Sequence, residues 1–268
     1  ANLKLSDESA EGFDAAFELL TTLVDLEEVN ELYPSGASSI YTACVVLWML
    51  VHQRLTQDAS LESVVKHMIE HQPLYLPESK RVREKNVSPA TGGYSRARSR
   101  LPLDAVKWFS NEISNRIIET TKPTIDGRRA FLIDGTTLTL APEKELQQAF
   151  PPASNQHGEG VWPVVLMTVF HELASGAALL PEIGAMYGPE AVSETELASR
   201  GMSKLPENSL VMADAGFGIY GVAHDSIKWG HDFFLRMKKS NCAAFEEMLP
   251  DATKDKLPNR PNRQEKRA

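Results

Sequence analysis

Cysteine is scarce in this sequence, and long apolar runs are missing. Cys44 and Cys242 are its two cysteines, which are too few for a disulfide framework, and neither has neighbours at metal-ligand spacing. No stretch approaches the roughly 20 apolar residues of a membrane-spanning helix. The acidic N-terminus does not have the pattern of a signal peptide. We therefore expect a cytoplasmic protein with no role for a membrane.

Histidine is also sparse, with seven residues in the chain. His67 and His71 lie four residues apart on a predicted helix, a spacing that suggests a metal site. No glutamate or cysteine completes a recognised ligand set around them. We therefore interpret the two histidines as ordinary residues of a helix surface.

The formal net charge is −8, but the charges are unevenly distributed. Residues 1–32 contain nine acids and a single basic residue, so this segment accounts for the net charge by itself. Residues 79–100 contain seven basic residues and one acid, Glu84. The basic residues are Lys80, Arg81, Arg83, Lys85, Arg96, Arg98 and Arg100. Such a local patch, more than the overall charge, governs contact with phosphates.

This basic segment is rich in glycine and serine. The glycine pair at 92–93 predicts a turn or loop. Arg96 and Arg100 lie four residues apart, so they share a face if a helical turn begins at Ser95. Contact with phosphates and a solvated charge run are both compatible with this composition.

The first third of the chain is predicted to be helical. Residues 11–32 place apolar side chains at near-helical spacing with acids between them, until Pro34 and Gly36 end the pattern. Further helices are predicted over 41–55, which is apolar almost all round, over 60–71, and over 101–121 with Val106, Phe109, Ile113, Ile117 and Ile118 buried.

A β-prone apolar run over 129–140 carries one carboxylate, Asp134. Residues 131–133 predict a strand buried on both faces of a sheet, so Asp134 is not expected to be an ordinary solvated acid. Eighty residues further on, the apolar run 209–213 ends in Asp214, which glycines follow. Two such strands would bring both carboxylates together where the sheet meets solvent.

Two close carboxylates repel each other unless a cation neutralises them. Mg²⁺ prefers oxygen ligands and is commonly held by one or two carboxylates with water and substrate phosphate. The pair therefore predicts a Mg²⁺ (or Mn²⁺) site suited to phosphoryl transfer, with Asp134 and Asp214 as metal ligands and catalytic residues. In the alternative interpretation, each aspartate caps a turn after a buried strand, and the glycines supply unusual backbone angles.

The second half of the chain changes to strand periodicity. Strands are predicted over 130–140, 162–171, 176–184, 209–214 and 232–238, and helices over 193–204 and 220–229. The first three strands are consecutive and should pair antiparallel. The order βββαβαβ predicts an α/β (α+β) fold with a mixed sheet, preceded by an all-helical N-terminal region. We expect domains at 1–125 and 126–240 and a disordered, charged tail at 241–268.

Four motifs in this order resemble the DDE transposases of bacterial insertion sequences, and the resemblance covers roughly residues 35–240. They are Gly92-Gly-Tyr-Ser-Arg-Ala-Arg-Ser-Arg-Leu-Pro102, Leu132-Ile-Asp134-Gly-Thr136, Leu210-Val-Met-Ala-Asp214-Ala-Gly-Phe-Gly218 and Phe234-Leu-Arg236-Met-Lys238.

The resemblance implies a helical DNA-binding region followed by a ribonuclease-H-like catalytic domain. Asp134 and Asp214 would be the first two acids of its metal-binding triad. In that family two Mg²⁺ ions activate water to nick the element end, and then activate the freed 3′-hydroxyl for strand transfer. The implied partners are double-stranded DNA, as element terminal repeats and target, and a second copy of the chain on that DNA. The implied DNA contacts are the seven basic residues of 79–100 and Arg236, in the bacterial cytoplasm.

The sequence departs from the family pattern in two places. Ala215 stands where family members commonly have arginine. The third acid normally lies in a Tyr-x2-Arg-x3-Glu-x6-Lys helix well beyond the last strand, and Glu246, Glu247 and Glu265 lack that pattern. We therefore expect an active site left incomplete by C-terminal truncation, with weakened metal binding and with catalysis lost or severely reduced.

Two other functions fit parts of the sequence. A non-catalytic DNA-binding remnant would occupy element ends or inhibit a full-length transposase by pairing with it. Asp134-Gly-Thr136 also resembles the signature of haloacid-dehalogenase-like phosphatases. However, Leu132 stands where that family has its nucleophilic aspartate, and three consecutive strands disagree with a doubly wound order.

Overall fold

The structure is a computed structural model, and it describes residues 10–36, 38–71, 76–156 and 158–238. The chain divides into two compact units, Ala1–Lys122 and Pro123–Ala268. The tail predicted at 241–268 lies outside the described residues. No helix in the described ranges is long and apolar enough to cross a lipid bilayer.

The described part of the first unit is helical. Its helices are α1 (Ala10–Leu23), α2 (Leu26–Leu32), α3 (Ala43–Leu55), α4 (Leu61–His71), α5 (Lys80–Arg83), α6 (Gly92–Arg100) and α7 (Leu103–Thr120). Helix α3 forms the centre of this unit, because every residue from Ala43 to Met49 is buried. Trp48 packs edge-on against Phe17 of α1, with ring centroids 4.9 Å apart.

The single helix suggested by the pattern of residues 11–32 is two helices in the structure. The Asp25 carboxylate accepts hydrogen bonds from the backbone N–H of Glu27 (2.9 Å) and of Glu28 (3.4 Å). It is therefore the N-cap of α2, and it interrupts the chain between α1 and α2. The spacing of apolar residues alone does not predict the break at Asp25, because the same spacing continues from α1 into α2.

Two further predictions for this unit are wrong. The glycine pair 92–93 lies inside α6 and does not form a turn before it. A Cβ on Gly93 would lie 3.0 Å from the Tyr41 ring, so close packing accounts for that glycine. Of the residues predicted to be buried in α7, Phe109 and Ile118 are buried, Ile113 and Ile117 are half-buried, and Val106 is 37% exposed.

The second unit is a mixed sheet with helices. Its elements are β1 (Ala130–Thr139), α8 (Lys144–Ala149), β2 (Pro152–Asn155), β3 (Gly158–Glu172), β4 (Glu182–Ala185), α9 (Glu194–Met202), β5 (Leu210–Ala213), α10 (Tyr220–Lys228) and β6 (Asp232–Leu235). The strand order is β2-β3-β1-β5-β6, and β4 also pairs with β3. Strand β3 is antiparallel to β1, β2 and β4, whereas β5 is parallel to both β1 and β6. The described chain is thus a mixed α/β protein with ten helices and six strands.

The sequence predicts neither α8 nor β2, and it places one strand too early. The strand expected over 176–184 is β4, which begins only at Glu182. Gly176 has φ +71°, which closes the turn after β3, and Pro181 has no N–H to donate to a ladder. Residues 176–181 are expected to pair with the preceding strand, and in the structure they form one isolated β-bridge with it, between Ala178 and His171.

Helices α9 and α10 bury one face of the sheet. Phe131, Ile133 and Val211 of the sheet form a core with Ala198 of α9 and Val222 of α10. The opposite face is open to solvent: Leu132 is 39% exposed and Phe234 is 69% exposed. The prediction of a strand buried on both faces at 131–133 is therefore wrong for Leu132.

One buried carboxylate closes the turn after β3. Glu172 is 1% exposed, and its Oε2 accepts hydrogen bonds from the Ser175 backbone N–H and hydroxyl, each 2.7 Å long. Its Oε1 lies 3.5 Å from Nη1 of Arg129. Burial is the largest single influence and would raise the pKa of Glu172, but the Ser175 and Ala174 hydrogen bonds and Arg129 together lower it below 4.5.

We predict that Glu172→Ala lowers the free energy of unfolding at neutral pH by about 2–3 kcal/mol, because it leaves buried donors without their acceptor. Since the folded pKa is depressed, this contribution is present above the ordinary carboxyl pKa and is lost as the pH falls through the folded pKa. Urea unfolding at several pH values measures it. The control is Glu196→Ala, which removes an exposed pair with Arg200 and should cost about 0.5 kcal/mol or less. Equal losses for the two variants would contradict the prediction.

Candidate functional site

Asp134 and Asp214 directly follow the last pair of residues in the parallel ladder between β1 and β5. The β1–β5 ladder runs from Ala130 paired with Leu210 to Ile133 paired with Ala213. Asp134 is the next residue of β1, and Asp214 directly follows the last residue of β5. Neighbouring strands are about 5 Å apart, so continuing this register places the two Cα atoms at about that separation.

Both carboxylates are on the open side of the sheet. Side chains alternate along a strand, so Asp134 follows Leu132 onto the exposed face and Asp214 follows Met212. Both aspartates are exposed, so the expectation that Asp134 is shielded from solvent is wrong. The cause is the open sheet face: within the second unit, the helices that bury the sheet lie on its other side.

Each aspartate accepts a hydrogen bond from the backbone of a glycine that follows it. The Gly135 N–H donates to Oδ1 of Asp134 over 2.9 Å, and the Gly216 N–H donates to Oδ1 of Asp214 over 2.7 Å. The Asp214 bond spans two residues and caps the turn after β5, as the turn-capping interpretation expects. That interpretation is wrong for Asp134, because β1 continues through Gly135 to Thr139 and no turn follows the aspartate. The two bonds occupy one oxygen of each carboxylate, and across the described residues no hydrogen bond or ion pair includes either Oδ2.

Arg236 extends the row of charged residues across a third strand. Ala213 pairs with Leu235 of β6, and the Arg236 N–H donates to the Ala213 carbonyl over 3.0 Å. Arg236 is thus the neighbour of Asp214 in the sheet. A Cβ on Gly218 would lie 2.1 Å from the Arg236 carbonyl oxygen, so the loop after β5 packs directly onto this backbone. The row places an exposed cation beside Asp214 and two strand spacings from Asp134.

Glu194 is a neighbour of the site that the sequence analysis does not identify. A Cβ on Gly135 would lie 2.6 Å from its Oε1, so the Glu194 side chain covers Gly135 at the start of α9. Gly135 faces the opposite side of β1 from Asp134, which separates Glu194 from the aspartate pair. The only sign of this contact in the sequence is Gly135, because a glycine indicates that another group packs closely against the backbone but does not identify that group.

A third carboxylate does not join the pair within the described ranges, where no group of three histidine, cysteine, aspartate or glutamate residues is placed to hold a metal ion. Glu246, Glu247 and Glu265 lie outside those ranges. Two carboxylates and a glycine backbone are nevertheless the kind of oxygen-rich set that Mg²⁺ or Mn²⁺ accepts when water and phosphate complete the coordination.

The predicted basic residues divide between the two units. Lys80, Arg81 and Arg83 form α5 and Lys85 follows it, whereas Arg96, Arg98 and Arg100 lie on α6. All seven are exposed. Arg236 belongs to the second unit. The first unit therefore contains seven of the predicted basic residues, and the second unit contains one.

In the described part of the chain, no group of three or more histidine, cysteine, aspartate or glutamate residues that could hold a metal ion includes a histidine. His67 contacts the buried His52, with ring centroids 4.5 Å apart. Burial, with a smaller contribution from His67, lowers the pKa of His52 to about 4, so His52 is neutral at physiological pH. The His71 side chain lies outside the described part.

Comparison with protein-family models gives no match to this chain, and comparison with curated proteins gives none either. Function is therefore inferred from the residues and geometry of the chain itself.

We predict that Asp134→Asn and Asp214→Asn each weaken Mn²⁺ binding about tenfold or more, equivalent to about 1.4 kcal/mol, because each removes a negative charge from the shared site. Asparagine keeps an oxygen that accepts the glycine N–H, so both hydrogen bonds should remain and the melting temperature should change little. Titration with Mn²⁺ followed by electron paramagnetic resonance measures the affinity.

The matched control is Asp126→Asn, which alters an exposed aspartate of the same unit with φ +47°, a conformation that asparagine tolerates. This control should bind Mn²⁺ like the unmodified chain. Equal binding by the unmodified chain and all three variants would show that Asp134 and Asp214 do not bind the metal, and would leave them only their hydrogen bonds to the glycine backbone.

Proposed function

We propose that this chain is a DNA transposase of the DDE type, which uses a divalent metal to cleave insertion-sequence ends and to transfer the cut strand. Asp134 and Asp214 are its metal-binding and catalytic acids, and double-stranded DNA in the bacterial cytoplasm is its partner. The observation that carries the proposal is the β1–β5 register, which makes these two aspartates neighbours on the open face of the sheet.

The residues present fit a hard divalent cation. When bound, Mg²⁺ or Mn²⁺ supplies charge neutralisation and activation of an oxygen nucleophile. The aspartates hold the cation, and the open face leaves room for a DNA backbone to approach it. Arg236, the next residue in the row, is placed to bind a phosphate oxygen as that phosphate approaches the pair.

The succession of elements gives further support. Three strands of the sheet, β1, β3 and β4, precede α9, and one strand follows each of the helices α9 and α10. This succession agrees with the βββαβαβ order expected of a ribonuclease-H-like unit, with α8 and the short β2 as additions between β1 and β3. A ribonuclease-H-like fold for residues 123–238 is part of the proposal.

A second candidate is a non-catalytic DNA-binding protein that occupies element ends or pairs with an active transposase. The observation that favours it is the pair of carboxylates, where the DDE mechanism uses three; no third joins them in the described part of the chain. The exposed arginines of α6 fit this candidate equally well.

A strand-cleavage assay tests the proposal on duplex DNA that carries the terminal repeats flanking the gene of this chain. We expect slow nicking with Mn²⁺ that Asp134→Asn and Asp214→Asn abolish and Asp126→Asn leaves unchanged. The nicking should be slow because two carboxylates hold the second of two ions only loosely. If Glu246→Gln, Glu247→Gln or Glu265→Gln also abolishes nicking, that residue is the third acid.

DNA binding without nicking in either Mg²⁺ or Mn²⁺ would contradict the transposase proposal and support the non-catalytic candidate. Nicking that persists in both aspartate variants would show that a contaminating nuclease, or another site, cuts the DNA.

A further inference from the structure

Helix α6 is held to the first unit along one side. Tyr94 and Ala97 are buried, and Leu101 directly after the helix packs against the same core. The Tyr94 hydroxyl donates to Oε1 of Gln53 on α3 over 2.9 Å. The spacing of these residues, three and then four positions apart, defines one face of a helix. This face anchors α6 and leaves the opposite face outward.

The outward face of α6 is a contiguous polar band. Residues Ser95, Arg96, Ser99 and Arg100 are all exposed and lie on neighbouring turns. Arg98 lies beside the packed side, close enough to Tyr94 to influence its pKa. The Arg96 guanidinium extends toward the start of the helix, since a Cβ on Gly92 would lie 3.4 Å from its Nη1. The two outward arginines thus cover both ends of this face.

This band has no balancing negative charge from its own helix. Helix α6 contains no acid, and none of the ion pairs found among the described residues includes Arg96, Arg98 or Arg100. Arginines four apart on a helix destabilise it by mutual repulsion. Helix α6 is fixed to the core of the first unit, and the charges of its arginines are not neutralised by ion pairs. Its outward face is therefore complementary to a polyanion.

The dimensions favour a duplex. A helix of nine residues is about 13 Å long, and the major groove of B-DNA, about 12 Å wide, admits a helix. Arginine is the side chain that pairs in bidentate fashion with the guanine edge in that groove, and serine hydroxyls bind base edges or phosphates. Helix α6 presents two arginines and two serines on the face that would enter.

We propose that α6 is the sequence-reading helix of this chain, and that Arg96 and Arg100 bind guanine edges in the major groove of duplex DNA. The inference rests on the proposed function only in taking DNA as the partner. It adds a division of labour: α6 selects the sequence, whereas the exposed Lys80, Arg81 and Arg83 of α5 bind phosphates without selecting it.

The test uses the full chain without divalent metal and a pool of duplexes with a random central segment. Repeated selection should enrich a guanine-containing motif. Affinities for the enriched duplex and for a scrambled one are then measured over a range of salt concentrations. The variants are Arg96→Lys and Arg100→Lys, which keep the charge and lose the planar guanidinium fork, and Arg81→Lys is the matched control. All three positions are exposed, so the melting temperature should not change.

We expect each α6 variant to lose about tenfold or more of the preference for the enriched duplex, in keeping with the discrimination of one bidentate contact. The slope of affinity against salt should stay the same, because the charge is kept. Arg81→Lys should retain the full preference.

Enrichment of no motif, or an unchanged preference in both α6 variants, would overturn the assignment while leaving a DNA-binding transposase possible. A loss as large in Arg81→Lys would overturn the division between α5 and α6. Failure to bind any duplex would overturn this inference together with the DNA-binding part of the proposed function.

Discussion

The parallel pairing of β1 with β5 is the constraint on which the candidate site depends. Just before the ladder, the Leu210 N–H donates to the Arg129 carbonyl over 2.8 Å. Arg128 also donates through Nε to the Asn208 carbonyl over 3.1 Å, and its Nη1 lies 2.8 Å from Oδ2 of Asp232 at the start of β6. Arg128 thus contacts Asn208, just before β5, and Asp232, the first residue of β6. These contacts fix the register of the strands at the end of the ladder opposite the aspartates.

A slip of one residue in that register would undo the site. Side chains alternate between the faces of a strand, so a slipped β5 would turn Asp214 toward the helices and Ala213 toward solvent. The core opposes this, because Val211 is fully buried between the sheet and the helices in its present register. The apolar packing on one face therefore fixes the position of charged groups on the other. The buried face supplies stability, and the open face carries the proposed chemistry.

The sequence predicts this arrangement where the pattern is strong and local. Apolar runs that end in Asp134 and Asp214 are sufficient to expect two strands, and the mixed α/β class follows from the change in periodicity. The expected position near a strand end holds for Asp214, which directly follows β5, and is wrong for Asp134, which lies in the middle of β1. Metal and DNA binding stay predictions.

Features that depend on tertiary packing could not be predicted in the same way. Whether Leu132 is buried depends on which sheet face the helices cover, and one strand does not encode that choice. The glycine pair 92–93 carries the local signal of a turn, yet α6 begins with it, and the close approach of Tyr41 accounts for the glycine at position 93. Nothing in the run around Asp134 identifies Glu194 as the side chain that covers Gly135.

The most direct test of the account is whether positions 134 and 214 are neighbours in solution. In a Cys242→Ser background, the pair Asp134→Cys and Asp214→Cys should form a disulfide on mild oxidation, because Cα atoms about 5 Å apart lie within disulfide range. Cys44 should not interfere, since burial raises its pKa to about 12. The control pair, Asp134→Cys with Arg236→Cys, spans two strand spacings, about 10 Å, and should stay reduced. Mass spectrometry that finds the 134–214 cross-link and not the 134–236 cross-link is the predicted result; the absence of the first, or equal formation of both, would contradict the register and the site built on it.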